Sequence, residues 1–159
     1  MAKSSTPGKG EFTHLAGEFY VLSCLNRNHI WNLLTLGNYK AIDIIAVLND
    51  EKKTIDVKAV DKDPVFLGDP KELYQDKNHF YVVVYFGHSP KDNSYSNINV
   101  APEVYIVPSR RFCELANAKK TYMTVRMKNI QEYKVTPERG MSFLLSNDGE
   151  RENGMVRKS

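Results

Sequence analysis

Apolar and polar positions along the chain alternate in two distinct rhythms. Between residues 12 and 28 the apolar side chains recur at helical spacing. On a 100° wheel, Phe12, Leu15, Phe19, Val21, Leu22 and Leu25 fill one broad arc, which predicts a helix over about 14–28 with that arc against a core. Three strand-like runs follow, at 30–36, 41–48 and 54–60, and the polar stretch 49–53 supplies a short hairpin turn between the last two. A polar loop with Pro64, Gly68 and Pro70 then leads to 79–86. Its Phe80-Tyr81-Val82-Val83-Val84-Tyr85-Phe86 is apolar on both faces, the mark of a central strand covered on both sides. After a loop over 87–102 come a strand at 103–107 and a second helix over about 109–118, with Ser109 in the N-cap position. The order helix, five strands, helix predicts an α/β fold with a mixed sheet flanked by helices. Residues 1–11 read as a flexible arm and 146–159 as a polar tail with little to bury, which leaves one domain over 12–145.

Composition narrows the class. The 159 residues are 42% hydrophobic and 26% charged, a globular balance. No apolar run approaches the roughly 20 residues that span a bilayer, and the first residues lack the apolar stretch of a signal peptide. The two cysteines, Cys24 and Cys113, sit in apolar helical patterns and read as free thiols of a reducing compartment. A cytoplasmic protein is expected, and a disulfide scaffold, a membrane span and a coiled coil are poor readings. The net charge of +3 is unevenly placed: residues 1–80 carry −1 and residues 81–159 carry +4. The excess lies in Arg110, Arg111, Lys119, Lys120, Arg126, Lys128, Lys134 and Arg139, a local patch suited to a polyanion or simply a solvated helix face. No acyl-hydrolase or phosphate-loop motif occurs. The histidines His14, His29, His79 and His88 lack metal-ligand spacing, and His14 and His29 fall near helix ends, where solvated or capping histidines are the rule.

Chemistry concentrates around the hairpin. Asp43 lies on its first strand; Asp56 and Lys58 share a face of the second, because strands alternate with period two. A turn near Asp50 sets Asp43 opposite the 56–58 region, amid Ile42, Ile44, Ile45, Ile55 and Val57. Two carboxylates brought together repel and need a counter-charge. Lys58 is one, and a hard divalent cation with oxygen ligands is the other. Glu18 falls inside the apolar arc of the first helix, where a carboxylate needs a cation or donors. It reads as a third acidic ligand or supporting group beside Asp43, as a helix-end side chain that snorkels out to solvent, or as the partner of a lysine such as Lys40 or Lys58. A purely structural salt-bridge network of these four side chains stays open at this point.

With Gly17-Glu18 in the first helix, Ile42-Asp43, a hairpin and then Asp56-Val57-Lys58, the chain resembles the PD-(D/E)XK nuclease superfamily, and within it small bacterial members related to group I intron homing endonucleases. The resemblance covers about residues 15–60 by motif and implies a restriction-endonuclease-like αβββαβ core. It implies that Asp43 and Asp56 are metal ligands, that Lys58 acts on the attacking water or the transition state, and that Glu18 assists at the metal. Ile42 stands where the family has proline, Asp56 where glutamate is more frequent, and Ala59-Val60 where small hydroxylated residues are common. The implied activity is a Mg²⁺-dependent endodeoxyribonuclease, with Mn²⁺ able to substitute; the alternative is a non-catalytic nucleic-acid-binding or assembly module with the inherited fold. DNA is the implied partner, with Tyr39 and Lys40 before the acidic strand and Arg110 and Arg111 on the second helix as its candidate contacts. Cutting two strands implies a homodimer or tetramer.

Overall fold

The computed structural model describes residues 9–35, 42–69, 73–87, 101–118, 122–136 and 140–146. A central five-stranded sheet is built from β1 (Trp31–Leu34), β2 (Ile44–Leu48), β3 (Glu51–Val60), β5 (His79–Tyr85) and β6 (Glu103–Pro108). They lie in the order β1-β2-β3-β5-β6, with β3 and β5 parallel and every other neighbouring pair antiparallel. Helix α1 (Lys9–Arg27) covers one face. The other face carries α2 (Ser109–Leu115) and a small sheet of β4 (Val65–Gly68), β7 (Asn117–Ala118) and β8 (Met123–Val125) in the order β4-β8-β7. Single 3₁₀ turns at Met127–Asn129 and Gln131–Tyr133 precede α3 (Gly140–Ser146), which packs beside α1 against β2 and β6.

The run at 79–86 behaves as its pattern predicts. Residues 79–84 of β5 are all buried. Phe80, Val82 and Val84 join the core under α1, while Tyr81 and Val83 join the core under α2 and β8. Alternation thus feeds two cores from one strand. The hairpin is tighter than the composition of 49–53 suggests. Asn49 and Asp50 alone make the turn, both with positive φ (52° and 63°), so Glu51, Lys52 and Lys53 already belong to β3. A two-residue turn of this handedness fixes the register, pairing Leu48 with Glu51 and Ile44 with Ile55.

Helix α1 departs from expectation in start and face. It begins at Lys9, so 9–11, expected to be arm, are its first turn; it ends where His29 takes a left-handed conformation (φ 56°). The buried stripe is Gly17, Val21 and Leu25, not the whole apolar arc: Phe12, Leu15 and Phe19 are exposed. The reason is Gly17. A Cβ there would clash with Ala59 Cβ and lie 3.4 Å from Val57 Cγ1, so the glycine lets the helix backbone settle onto β3. Bulky side chains cannot share that contact and are turned aside.

On the other face, Ser109 does not cap α2; Pro108 holds that position. Ser109 Oγ instead accepts the Asp76 N–H (3.0 Å) and donates to the Asp76 carbonyl (2.8 Å), tying the loop before β5 to the helix. Helix α2 ends at Leu115, short of 118. Cys24 and Cys113 are free thiols, packed against the two different cores. No helix among the described residues is long and apolar enough to cross a membrane.

The close approach makes a prediction of opposite sign to helix propensity. Gly17→Ala should lower stability by about 1–3 kcal/mol, although alanine in an open helix position gains up to about 1 kcal/mol. Gly10→Ala, whose Cβ would meet nothing within 4 Å, should change stability by less than about 0.5 kcal/mol. Urea unfolding of both variants measures this; a Gly17→Ala protein as stable as wild type would mean that the helix stands off the strand.

Candidate metal centre

The site forms where β2 parts from β3. The ladder between them ends at the Ile44–Ile55 pair, and Asp43, expected on the strand, lies in the bend one residue before β2. Its backbone is held on both sides: its N–H donates to the Ile55 carbonyl (2.8 Å), and its carbonyl accepts the Thr35 N–H (2.8 Å) and hydroxyl (3.1 Å). The Thr35 hydroxyl also donates to the Ile42 carbonyl. Asp43 Oδ2 then accepts the Val57 N–H at 2.7 Å, replacing the strand carbonyl that would otherwise sit there. The carboxylate is thereby pinned at the edge of β3, in the gap between strands.

Two residues of α1 meet it. Glu18 and His14 stand one helical turn apart on the side of α1 that faces the sheet, with His14 Nε2 2.9 Å from Glu18 Oε1. One ligand atom each from His14, Glu18 and Asp43 lies within 4.8 Å of the others. Burial pushes the Glu18 carboxyl above its ordinary range, the Asp43 charge pushes it further, and His14 partly offsets both. Such a cluster of two carboxylates and an imidazole offers a divalent cation three donors, and a cation would relieve the carboxylate repulsion.

Asp56 and Lys58 occupy the opposite face of β3, since Ile55, Val57 and Ala59 are the residues that pack toward α1. Asp56 is 6% exposed. Lys58 Nζ lies 2.8 Å from Asp56 Oδ1, close enough for an ion pair but outside hydrogen-bond geometry, so that buried oxygen lacks a hydrogen bond among the described residues. Burial raises the Asp56 carboxyl from 3.8 to about 6, Lys58 pulls it down, and Asp43 pushes it up again. The charges of Asp43 and His14 also reach Asp56, each more weakly than burial or Lys58. Structure therefore gathers Asp43 and Glu18 at ligand distance with His14, and sets Asp56 with Lys58 across the strand from them.

His14 escaped the sequence reading because the helix was expected to begin there. With α1 starting at Lys9, His14 lies in its second turn, and its four-residue spacing to Glu18 is the signal that marks it. His79 is a different case. It is fully buried, its Nδ1 is 2.9 Å from Thr54 Oγ1, and the rings of Tyr74 and Tyr81 meet it edge-on. Burial pushes its pKa down to about 4, so it serves as a neutral core residue.

Of the expected DNA contacts, Arg110 and Arg111 are exposed on α2, where both pair with Glu114, at 3.6 and 3.0 Å. Arg126 pairs with Asp63 and Lys134 with Glu103, so much of the basic stretch is matched by nearby carboxylates. Tyr39, Lys40, Lys119, Lys120, His88 and Arg139 lie outside the described residues, as do 1–8 and 147–159.

No protein-family model matches the chain, and no curated protein matches it. Among solved structures it is similar to Hjc, a Holliday junction resolvase from the archaeal hyperthermophile Archaeoglobus fulgidus. The likeness has a TM-score of 0.51 at 12% identity and covers 79% of this chain and 93% of that one. The mixed sheet flanked by helices is thus a restriction-endonuclease-like fold, as the motif resemblance implied. The narrower kinship with homing endonucleases draws no support from it.

The raised Asp56 pKa fixes the sign of a pH effect. Its folded-state value, about 6, exceeds the unfolded 3.8, so its contribution to stability is complete below 3.8 and is lost as pH rises through 6. In metal-free buffer Asp56→Asn should therefore exceed wild type in stability by on the order of 2 kcal/mol at pH 7, the difference shrinking toward zero by about pH 4. Chemical denaturation across that range measures it, and a difference that does not vary with pH would show that Asp56 does not titrate near 6.

Proposed function

We propose that this chain is a metal-dependent endodeoxyribonuclease that hydrolyses phosphodiester bonds. The observation that carries the reading is the convergence of Glu18, His14 and Asp43 beside the Asp56–Lys58 pair, at the point where two strands of a restriction-endonuclease-like sheet diverge. A bound Mg²⁺ or Mn²⁺ supplies Lewis acidity toward the scissile phosphate and an acidified water. Asp43 and Glu18 hold that ion, and Asp56 completes its acidic surroundings from the neighbouring strand. Lys58, partly exposed next to Asp56, orients the attacking water and offsets charge developing on the phosphate. Arg110 and Arg111 exchange Glu114 for backbone phosphates; such exposed pairs are worth at most about 1 kcal/mol and yield easily to a polyanion. Tyr39 and Lys40 are assigned the same task from the loop before Asp43. Branched DNA is the first substrate to try, since the similar Hjc is named a Holliday junction resolvase, and symmetric cutting of a junction calls for a homodimer.

The Val57 N–H dictates which variant tests this. Asp43→Ala would leave that buried donor without its partner, whereas Asp43→Asn keeps an acceptor and removes the charge. Asp43→Asn should lower cleavage of junction and plasmid DNA at least about 10³-fold in Mg²⁺ or Mn²⁺, with unfolding little changed. Wild-type cutting by that variant would refute the site. DNA binding by the wild type with no metal-dependent cutting would favour the non-catalytic module.

A further inference from the structure

We infer that His14 is a direct ligand of the metal and that its imidazole makes the site favour Mn²⁺ over Mg²⁺; this rests on the metal site of the nuclease reading. The position of His14 is built into the fold. Gly17 brings α1 onto β3, and His14 precedes Glu18 by one turn on the same side, so both side chains reach the Asp43 carboxylate. Its side chain is 44% exposed against 14% for Glu18, so the imidazole stands at the mouth of the cluster with Glu18 deeper. An ion entering from solvent meets a nitrogen donor first and two carboxylates behind it.

Donor chemistry then sets the preference. Mg²⁺ is hard, selects oxygen and keeps its waters, so an imidazole is a poor ligand for it. Mn²⁺ takes the same carboxylates and waters, and as a first-row transition ion it accepts an imidazole nitrogen more readily than Mg²⁺ does. A site of Asp43 and Glu18 alone would suit either ion. With His14 it becomes a mixed set in which only one of them uses every donor. The 2.9 Å contact between His14 Nε2 and Glu18 Oε1 keeps the two side chains together.

The test uses the full-length chain, stripped of metal, with Mn²⁺ and Mg²⁺ titrated calorimetrically and the Mn²⁺ complex read by pulsed electron paramagnetic resonance. Wild type should bind Mn²⁺ about tenfold or more tighter than Mg²⁺ and show ¹⁴N coupling from a ligating imidazole. His14→Ala should lose that coupling and bring the two affinities within about threefold of each other, mainly by weakening Mn²⁺. His14→Asp, an all-oxygen site, should bind both ions without ¹⁴N coupling and without the Mn²⁺ preference. Bound Mn²⁺ with no ¹⁴N coupling in wild type, or with the same coupling in His14→Ala, would overturn the role of His14 and leave the metal-nuclease reading standing. A wild-type chain that binds neither ion would overturn both.

Discussion

A glycine pressed against a strand governs what this fold can do. Gly17 has no side chain to hold α1 away from β3, and the helix comes down until its backbone touches Ala59 and Val57. Side chains one turn before it and one residue after it, His14 and Glu18, are then carried to the level of the sheet itself. They arrive where β2 separates from β3 and a strand carbonyl has been replaced by the Asp43 carboxylate. With a helix standing at ordinary distance, both would end in solvent above the sheet. The contact is a packing constraint first, and the chemistry is its consequence.

The charges gathered in this way are held against their own preference. Burial and the Asp43 charge raise the cost of ionising Glu18, and Asp56 sits buried across the strand, with Lys58 close to it but in poor geometry for a hydrogen bond. A fold selected for stability alone gains nothing from this arrangement, because burying a carboxylate costs more than an imperfect ion pair returns. The surrounding sheet tolerates it because β5, buried along 79–84, anchors two cores at once and leaves stability to spare at the edge of β3. Perturbed carboxylates gathered at one strand gap are the feature that makes this a candidate metal centre.

Much of this was legible in the sequence, and the failures share a cause. The D-x-K spacing, the hairpin and the doubly apolar run at 79–86 are short-range patterns, and period-two alternation carries them directly into the sheet. The pairing of β2 with β3 followed because a tight turn fixes register, but Asp43 falls just outside that ladder, and Asp56 with Lys58 lies on the other face of β3 from it. The face of α1 followed only in part. Wheel arithmetic ranks residues by size and hydrophobicity; it found Val21 and Leu25, both buried, but added Phe12, Leu15 and Phe19, all exposed. The true contact is made by the smallest residue, which no hydrophobic scale rewards. Placing the helix start at His14 instead of Lys9 turned a second-turn ligand candidate into a helix-end residue. The small sheet β4-β8-β7 was missed as well, since strands of two to four residues leave too little pattern to read.

The basic stretch carries the opposite lesson. As a linear charge count it looked like a polyanion surface, yet Glu114, Asp63 and Glu103 come from three separate places in the chain to meet Arg110, Arg111, Arg126 and Lys134. Net charge along a sequence ignores such partners, because it knows nothing of which side chains the fold makes neighbours. The acidic cluster keeps two carboxylates close together after folding, while Arg110, Arg111, Arg126 and Lys134 of the basic stretch acquire carboxylate partners. Chemistry is therefore better located by charges that the folded chain leaves in conflict than by charges that the sequence merely lists in a row. Among the described residues that conflict is sharpest beside Gly17, where Glu18 and Asp43 meet.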